Sequence, residues 1–143
     1  MTTNNAPNPI IPTNGRAREE SPPGSIADLF GKILPALDFV TEQTKLDTAL
    51  IVRQQDLRTA IATGLRNPDL DLTFLRNMTA VDWEENGVEI VYHLYSLNHH
   101  QGVAIKAMLD AEDPRTESVS DLFMGAIWME REAREMFGIE FDG

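Results

Sequence analysis

Large apolar side chains are nearly absent from the first part of the chain and then recur in short, regular groups. Residues 1–24 hold five of the eight prolines (Pro7, Pro9, Pro12, Pro22, Pro23), with Ile10 and Ile11 as an isolated apolar pair. Such a stretch cannot bury enough surface to offset the entropy of ordering it, so residues 1–24 are expected to form a flexible extension and residues 25–143 the folded domain. It has neither the basic start nor the apolar core of a secretory signal, and export by that route is not expected. From Ser25 the pattern changes. Ser25-Ile-Ala-Asp28 has the form of a capped helix start, and Ile26, Leu29, Phe30, Ile33 and Leu34 follow at helical spacing until Pro35 removes a backbone donor. Thr48 to Arg53 is short, branched and apolar, as an inner strand would be, with Phe39 to Thr44 a weaker partner. A second helix, capped by Gln55 or Asp56, places Leu57, Ala60, Ile61, Gly64 and Leu65 near one stripe and ends at Asn67-Pro68.

The middle of the chain alternates. Phe74 to Trp83 and Val88 to Leu97 read as two strands of a hairpin around Glu85-Asn86-Gly87, with Asn86 and Gly87 supplying the two positive-φ positions of a tight turn. Val103 to Leu109 adds a third strand to make an antiparallel meander. An acidic loop, Asp110 to Glu117, then leads to Ser118 or Ser120 as the cap of a helix running to about Met136. Gly138 stops that helix, and Ile139 and Phe141 begin an extended exit. The order helix, strands, helix, three strands, helix predicts a two-layer α+β domain with the meander packed by helices.

Composition narrows the function. The 143 residues carry 12 Lys+Arg against 23 Asp+Glu, a formal charge of −11, and no cysteine. Arg16 and Arg18 offset Glu19 and Glu20, so the whole excess belongs to the body that follows. That charge repels nucleic-acid phosphates and anionic lipid headgroups and favours a basic protein partner. Without thiolates the chain cannot ligate an iron–sulfur cluster or use a Cys nucleophile, and no apolar run approaches the ~20 residues of a membrane-spanning helix.

Candidate catalytic groups are sparse. His93, His99 and His100 have no diagnostic ligand spacing; His93 reads as a sheet-face residue and His99-His100 as a solvated turn. Ser96, Ser118 and Ser120 lie in no nucleophile elbow, and no phosphate-cradling glycine loop occurs. Glu84-Glu85, Glu112-Asp113 and Glu130 with Glu132 could be written as acid–base couples, but read first as a solvated acidic surface. The closing helix is different. In Trp128-Met-Glu130-Arg131-Glu132-Ala-Arg134-Glu135-Met136-Phe137-Gly138-Ile139 the pairs Glu130–Arg134 and Arg131–Glu135 are four apart, interlacing charges worth about 0.2–0.5 kcal/mol each when exposed. An ordinary charged helix would pack Trp128 and Met136 or Phe137 on the sheet. A docking helix would use aromatic anchors to hold Arg131 and its flanking carboxylates against a partner that excludes water.

These residues resemble the signature of the 30-kDa subunit family of respiratory complex I. Its motif is Glu-Arg-Glu, two variable residues, an acid, two apolar residues and Gly-Ile, matched here by Glu130 to Ile139 and preceded by Val119-Ser-Asp-Leu-Phe123. Asn77 to Asp82, Glu89 to Leu97 and Val103 to Leu109 are similar to the family's hairpin region, so the likeness extends over residues 46–143. The resemblance implies an α+β domain with a mixed sheet. It also implies a subunit with no cofactor, metal or catalytic residue of its own, packed in the hydrophilic arm against a hydrogenase-like large subunit and beside a small iron–sulfur subunit. Such a subunit sits on the cytoplasmic side of the membrane and is held there through its partners alone. Glu130, Arg131, Glu132 and Glu135 become the expected partner-facing or helix-locking charges, with Trp128, Met136, Phe137, Gly138 and Ile139 setting their geometry.

Complex I members continue past Gly-Ile into a Gly-His-Pro and Arg-Arg tail, whereas this sequence ends at Phe141-Asp142-Gly143. That difference favours the related subunit of energy-converting membrane-bound hydrogenases over the NADH:quinone oxidoreductase form, with residues 1–24 expected to run over a neighbour instead. The expectation is therefore a non-catalytic assembly subunit of a complex-I-like redox complex. Two alternatives stay open: a free-standing acidic adaptor for a basic protein, and a small carboxylate-dependent enzyme using two of Glu130, Glu132 and Glu135.

Overall fold

The computed structural model describes residues 24–143, and the expected extension over residues 1–24 lies, but for Gly24, outside them. The first helix, α1 (Ile26–Ile33), starts where the sequence predicts: the Ser25 hydroxyl accepts the Asp28 N–H at 3.2 Å, and the Asp28 carboxylate accepts the Gly24 N–H at 3.0 Å. Two short strands, β1 (Val40–Gln43) and β2 (Thr48–Ile51), pair antiparallel, and helix α2 (Leu57–Arg66) follows a single 3-10 turn at Gln54–Asp56. The meander is β3 (Phe74–Asp82), β4 (Val88–Ser96) and β5 (Gln101–Leu109). The last elements are β6 (Arg115–Glu117), α3 (Ala126–Phe137) and β7 (Glu140–Asp142).

The main sheet has the order β1-β2-β5-β4-β3, antiparallel except that β2 runs parallel to β5, with Leu50 opposite Ile105. It is the mixed sheet that the family resemblance implies. Alternation along the strands assigns its two faces. Leu50, Ile90, Tyr92, Leu94, Ile105 and Leu109 point to one side, where they are buried with Phe30 of α1, Leu57 and Ile61 of α2, and Ala126 and Ala133 of α3. All three helices therefore cover the same face. The opposite face carries a small cluster of Ala49, Val91 and Ala104, roofed by the Lys106 ammonium, which reaches Glu42 at 2.9 Å and Glu89 at 3.2 Å. His93 sits half-buried on this face and His99 in the exposed turn after β4, its Nε2 3.0 Å from the Pro68 carbonyl oxygen.

Three local expectations are corrected. The β3–β4 connection is not a two-residue Asn-Gly turn: Glu84–Asn86 forms a 3-10 turn, and the positive φ values fall on Glu84 (59°) and Gly87 (114°). The Asp82 carboxylate accepts the Glu84 N–H at 2.8 Å, a local bond that competes with the tight turn. The acidic loop is not all loop, since β6 within it pairs parallel with β7, Thr116 opposite Phe141. Finally, neither Ser118 nor Ser120 caps α3, which begins at Ala126 after Gly125. Both hydroxyls are engaged elsewhere. Gly138 ends α3 as expected, in the left-handed region at φ 72°.

Candidate docking site on the closing helix

The site is built from α3 and the turn that precedes it. Arg58 of α2 fixes that turn: its guanidinium donates to both Asp121 carboxylate oxygens at 2.8 and 2.7 Å and to the Ser118 carbonyl oxygen at 2.7 Å. The Asp121 bond raises the Arg58 pKa and, in return, lowers that of the Asp121 carboxyl. Glu130 of α3 turns inward and closes the same turn from the other side. Its carboxylate accepts the Ser118 hydroxyl at 2.7 Å and the Val119 N–H at 2.8 Å, and the residue is only 7% exposed. Burial raises the Glu130 pKa, opposed by the Val119 and Ser118 hydrogen bonds, so the carboxylate is held at a desolvation cost that those bonds only partly offset. The Tyr92 hydroxyl is buried with no hydrogen-bond partner among the described residues; burial, with the Glu130 charge, pushes its pKa far up.

With Glu130 committed to its own chain, the Glu130–Arg134 pair expected from the sequence does not form, nor does Arg131–Glu135: neither comes within 4.0 Å. The aromatic anchors are also redistributed. Phe137 packs against the core and Ile139 is fully buried, whereas Trp128 is 68% exposed and Met136 67% exposed. Trp128 thus does not pack on the sheet. Met124 (82% exposed) and Ile127 (50% exposed) are likewise left in solvent around the start of the helix, and the Arg131 guanidinium lies over the Trp128 ring at 5.2 Å. Arg131, Glu132 and Glu135 are all exposed to solvent.

Sequence reasoning singled out the helix but missed its lock. Ser118 read as a helix cap, and nothing local showed that its hydroxyl and the Val119 amide would bond Glu130 or that its carbonyl would be held by Arg58, 60 residues away. The burial of Glu130 follows only from placing that turn under α3. Among the described residues no group of three His, Asp or Glu side chains converges as metal ligands would, and no helix is long and apolar enough to cross a membrane.

Residues 50–143, from β2 through the Glu130 motif to β7, match the family described as "Respiratory-chain NADH dehydrogenase, 30 Kd subunit". The chain belongs to this family. The C subunit of NADH-quinone oxidoreductase from Roseiflexus sp. (strain RS-1) is 36% identical over 100 residues, 68% of this chain and 57% of that protein. Its counterpart from Salinispora arenicola (strain CNS-205) is 31% identical over 124 residues, covering 82% of this chain and 51% of its own length. This chain thus spans about half the length of these two relatives. Two solved structures share the fold. A trypsin-resistant fragment of Nqo5 aligns with a TM-score of 0.65 at 24% identity, over 73% of this chain and 86% of the fragment. A chain of an archaeal membrane-bound sulfane sulfur reductase aligns with 0.68 at 23% identity, over 82% of this chain and 69% of its own.

Proposed function

We propose that this family member is a cofactor-free assembly subunit in the peripheral arm of a complex-I-like membrane redox complex. It docks α3 on a hydrogenase-like large subunit beside the small iron–sulfur subunit, on the cytoplasmic side, and electrons pass through those chains. The observation that carries this reading is the exposed Met124–Ile127–Trp128 patch on a helix locked from beneath by Glu130. Tryptophan and arginine are among the residues most enriched at interface hot spots, and here one is left in water with the other over its ring. Arg131 is therefore assigned to bidentate pairing with the partner, and Glu132 and Glu135 to its flanking contacts, while Glu130 holds the helix to its own domain. The names of the two curated relatives support the quinone-reducing form over the hydrogenase form. Nickel ligands in the co-purifying large subunit separate the two.

The test is retention of the tagged chain by membranes and iron–sulfur proteins after a salt wash. Trp128→Ala and Arg131→Ala are each expected to weaken retention about thirty-fold, the equivalent of a hot-spot loss of about 2 kcal/mol. The isolated variants keep their stability to within about 0.5 kcal/mol, as exposed positions do. Undiminished retention of both variants, or substrate turnover by the isolated chain, overturns the proposal.

A further inference from the structure

We infer that the outer edge of β3, with the groove between β3 and α3, receives an extended segment of a partner protein as an added strand, apolar at alternate positions and bearing Lys or Arg. Strand β3 is nine residues long and ends the main sheet, with β4 its one neighbour among the described residues. The hydrogen-bond phase of that edge follows from the turn. Trp83 N–H donates to the Gly87 carbonyl oxygen at 2.8 Å, so by antiparallel alternation Val81–Glu89 and Thr79–Val91 are the hydrogen-bonded pairs. Met78, Ala80 and Asp82 therefore aim their N–H and C=O groups away from β4. The Asn77 side chain already behaves as a stand-in for a sixth strand, its Oδ1 accepting the Met78 N–H at 2.8 Å.

Beside this edge, Met129, Met136 and Phe137 of α3 face Met78 and Ala80 of β3 across a groove of about 190 Å³. Small-molecule sites usually offer about 300–1,000 Å³, so this groove suits one or two side chains of a strand whose backbone bonds to β3. Its methionines adapt to varied apolar shapes. The charge of the occupant follows from its rim: Glu132 lines the groove, Asp82, Glu84 and Glu85 crowd the end of β3, and Arg76 of β3 is drawn over Tyr95 at 4.7 Å. An acidic partner strand would add to the repulsion of a chain at −11, and a basic one relieves it.

This inference rests on the proposed membership of a complex, but uses a different flank of α3 from the Trp128 patch. Amide-resolved hydrogen exchange is compared between the native complex and the released full-length chain. Strand addition is expected to slow the Ala80 and Asp82 amides at least ten-fold while Thr79 and Val81, already bonded to β4, change little. Uniform protection of residues 79–82, or none, overturns it. Ala80→Pro removes an outward N–H without touching the β4 ladder and is expected to reduce retention in the complex at least ten-fold; Glu85→Lys, on an exposed side chain at the end of β3 and away from the docking helix, is expected to do the same with the fold undisturbed. If Trp128→Ala detaches the chain while both of these variants stay bound, strand addition fails and the docking helix stands. If the wild-type chain never co-purifies with a membrane complex, both fail.

Discussion

Replacing Glu130 tests whether the closing helix is held by a buried carboxylate or by apolar packing alone. The carboxylate accepts two hydrogen bonds, from Ser118 Oγ at 2.7 Å and Val119 N at 2.8 Å. Bonds to a charged acceptor contribute about 1.5–3 kcal/mol each, and truncation to alanine also strands the Val119 amide away from water at a cost of about 1–3 kcal/mol. Against this, Glu130→Ala no longer has to bury a charge, and the raised pKa shows that this burial is unfavourable. The net loss expected for Glu130→Ala is about 2–4 kcal/mol. Glu130→Gln keeps an acceptor for Val119 and a polar partner for the Ser118 hydroxyl, and is expected to cost about 1 kcal/mol or less near neutral pH.

Urea unfolding of the full chain, followed by helical circular dichroism, reads the difference. With a slope of about 1–3 kcal/mol/M, Glu130→Ala shifts the midpoint down by about 1–2 M. The pH dependence has a definite sign. Between the ordinary glutamate pKa and its raised folded value, the folded chain binds the Glu130 proton more tightly than the unfolded chain does. The stability this group adds is complete below that window and is lost as pH rises through it. Wild type should therefore lose ground to Glu130→Gln as pH climbs above about 4.3, the ordinary glutamate value. A wild-type advantage that grows with pH, or a Glu130→Ala loss below about 1 kcal/mol, refutes the reasoning.

Other substitutions separate causes that coincide at one residue. Gly87→Ala combines φ 114° with a Cβ 2.3 Å from the Leu109 carbonyl oxygen, and should cost at least about 2–3 kcal/mol in chemical denaturation. Gly138→Ala has φ 72° but open space around the new methyl, and should cost only about 1 kcal/mol. Lys106→Met leaves Glu89, whose side chain is 7% exposed, without its cation; a loss of about 3–5 kcal/mol is expected, with most of it recovered when Glu89→Leu is added. Although burial opposes it, Glu42 and Glu89 raise the Lys106 pKa, so the stability the ammonium adds is full below about pH 10.4 and falls as pH rises beyond, an alkaline slope that Lys106→Met should lose.

What the sequence determined by itself was local. The Ser25 hydroxyl caps the Asp28 amide while the Asp28 carboxylate accepts the Gly24 N–H, all within one turn; Gly138 has a left-handed conformation that glycine adopts without strain, and the alternation of β3, β4 and β5 sorts their side chains to two faces. The motif from Glu130 to Ile139, with the hairpin residues before it, was enough to point to its family. Tertiary structure decided the rest. Ser118 reads as a helix cap until Arg58 takes its carbonyl and Glu130 its hydroxyl, which moves the start of α3 to Ala126. Glu130 and Arg131 are adjacent charges in an ordinary surface pattern, yet one is buried under a turn and the other lies over an exposed indole. The parallel pairing of β6 with β7 likewise joins segments on either side of α3. Backbone conformation and periodicity depend on neighbours within a few residues, whereas the solvation of a charge depends on whatever distant segment is packed against it.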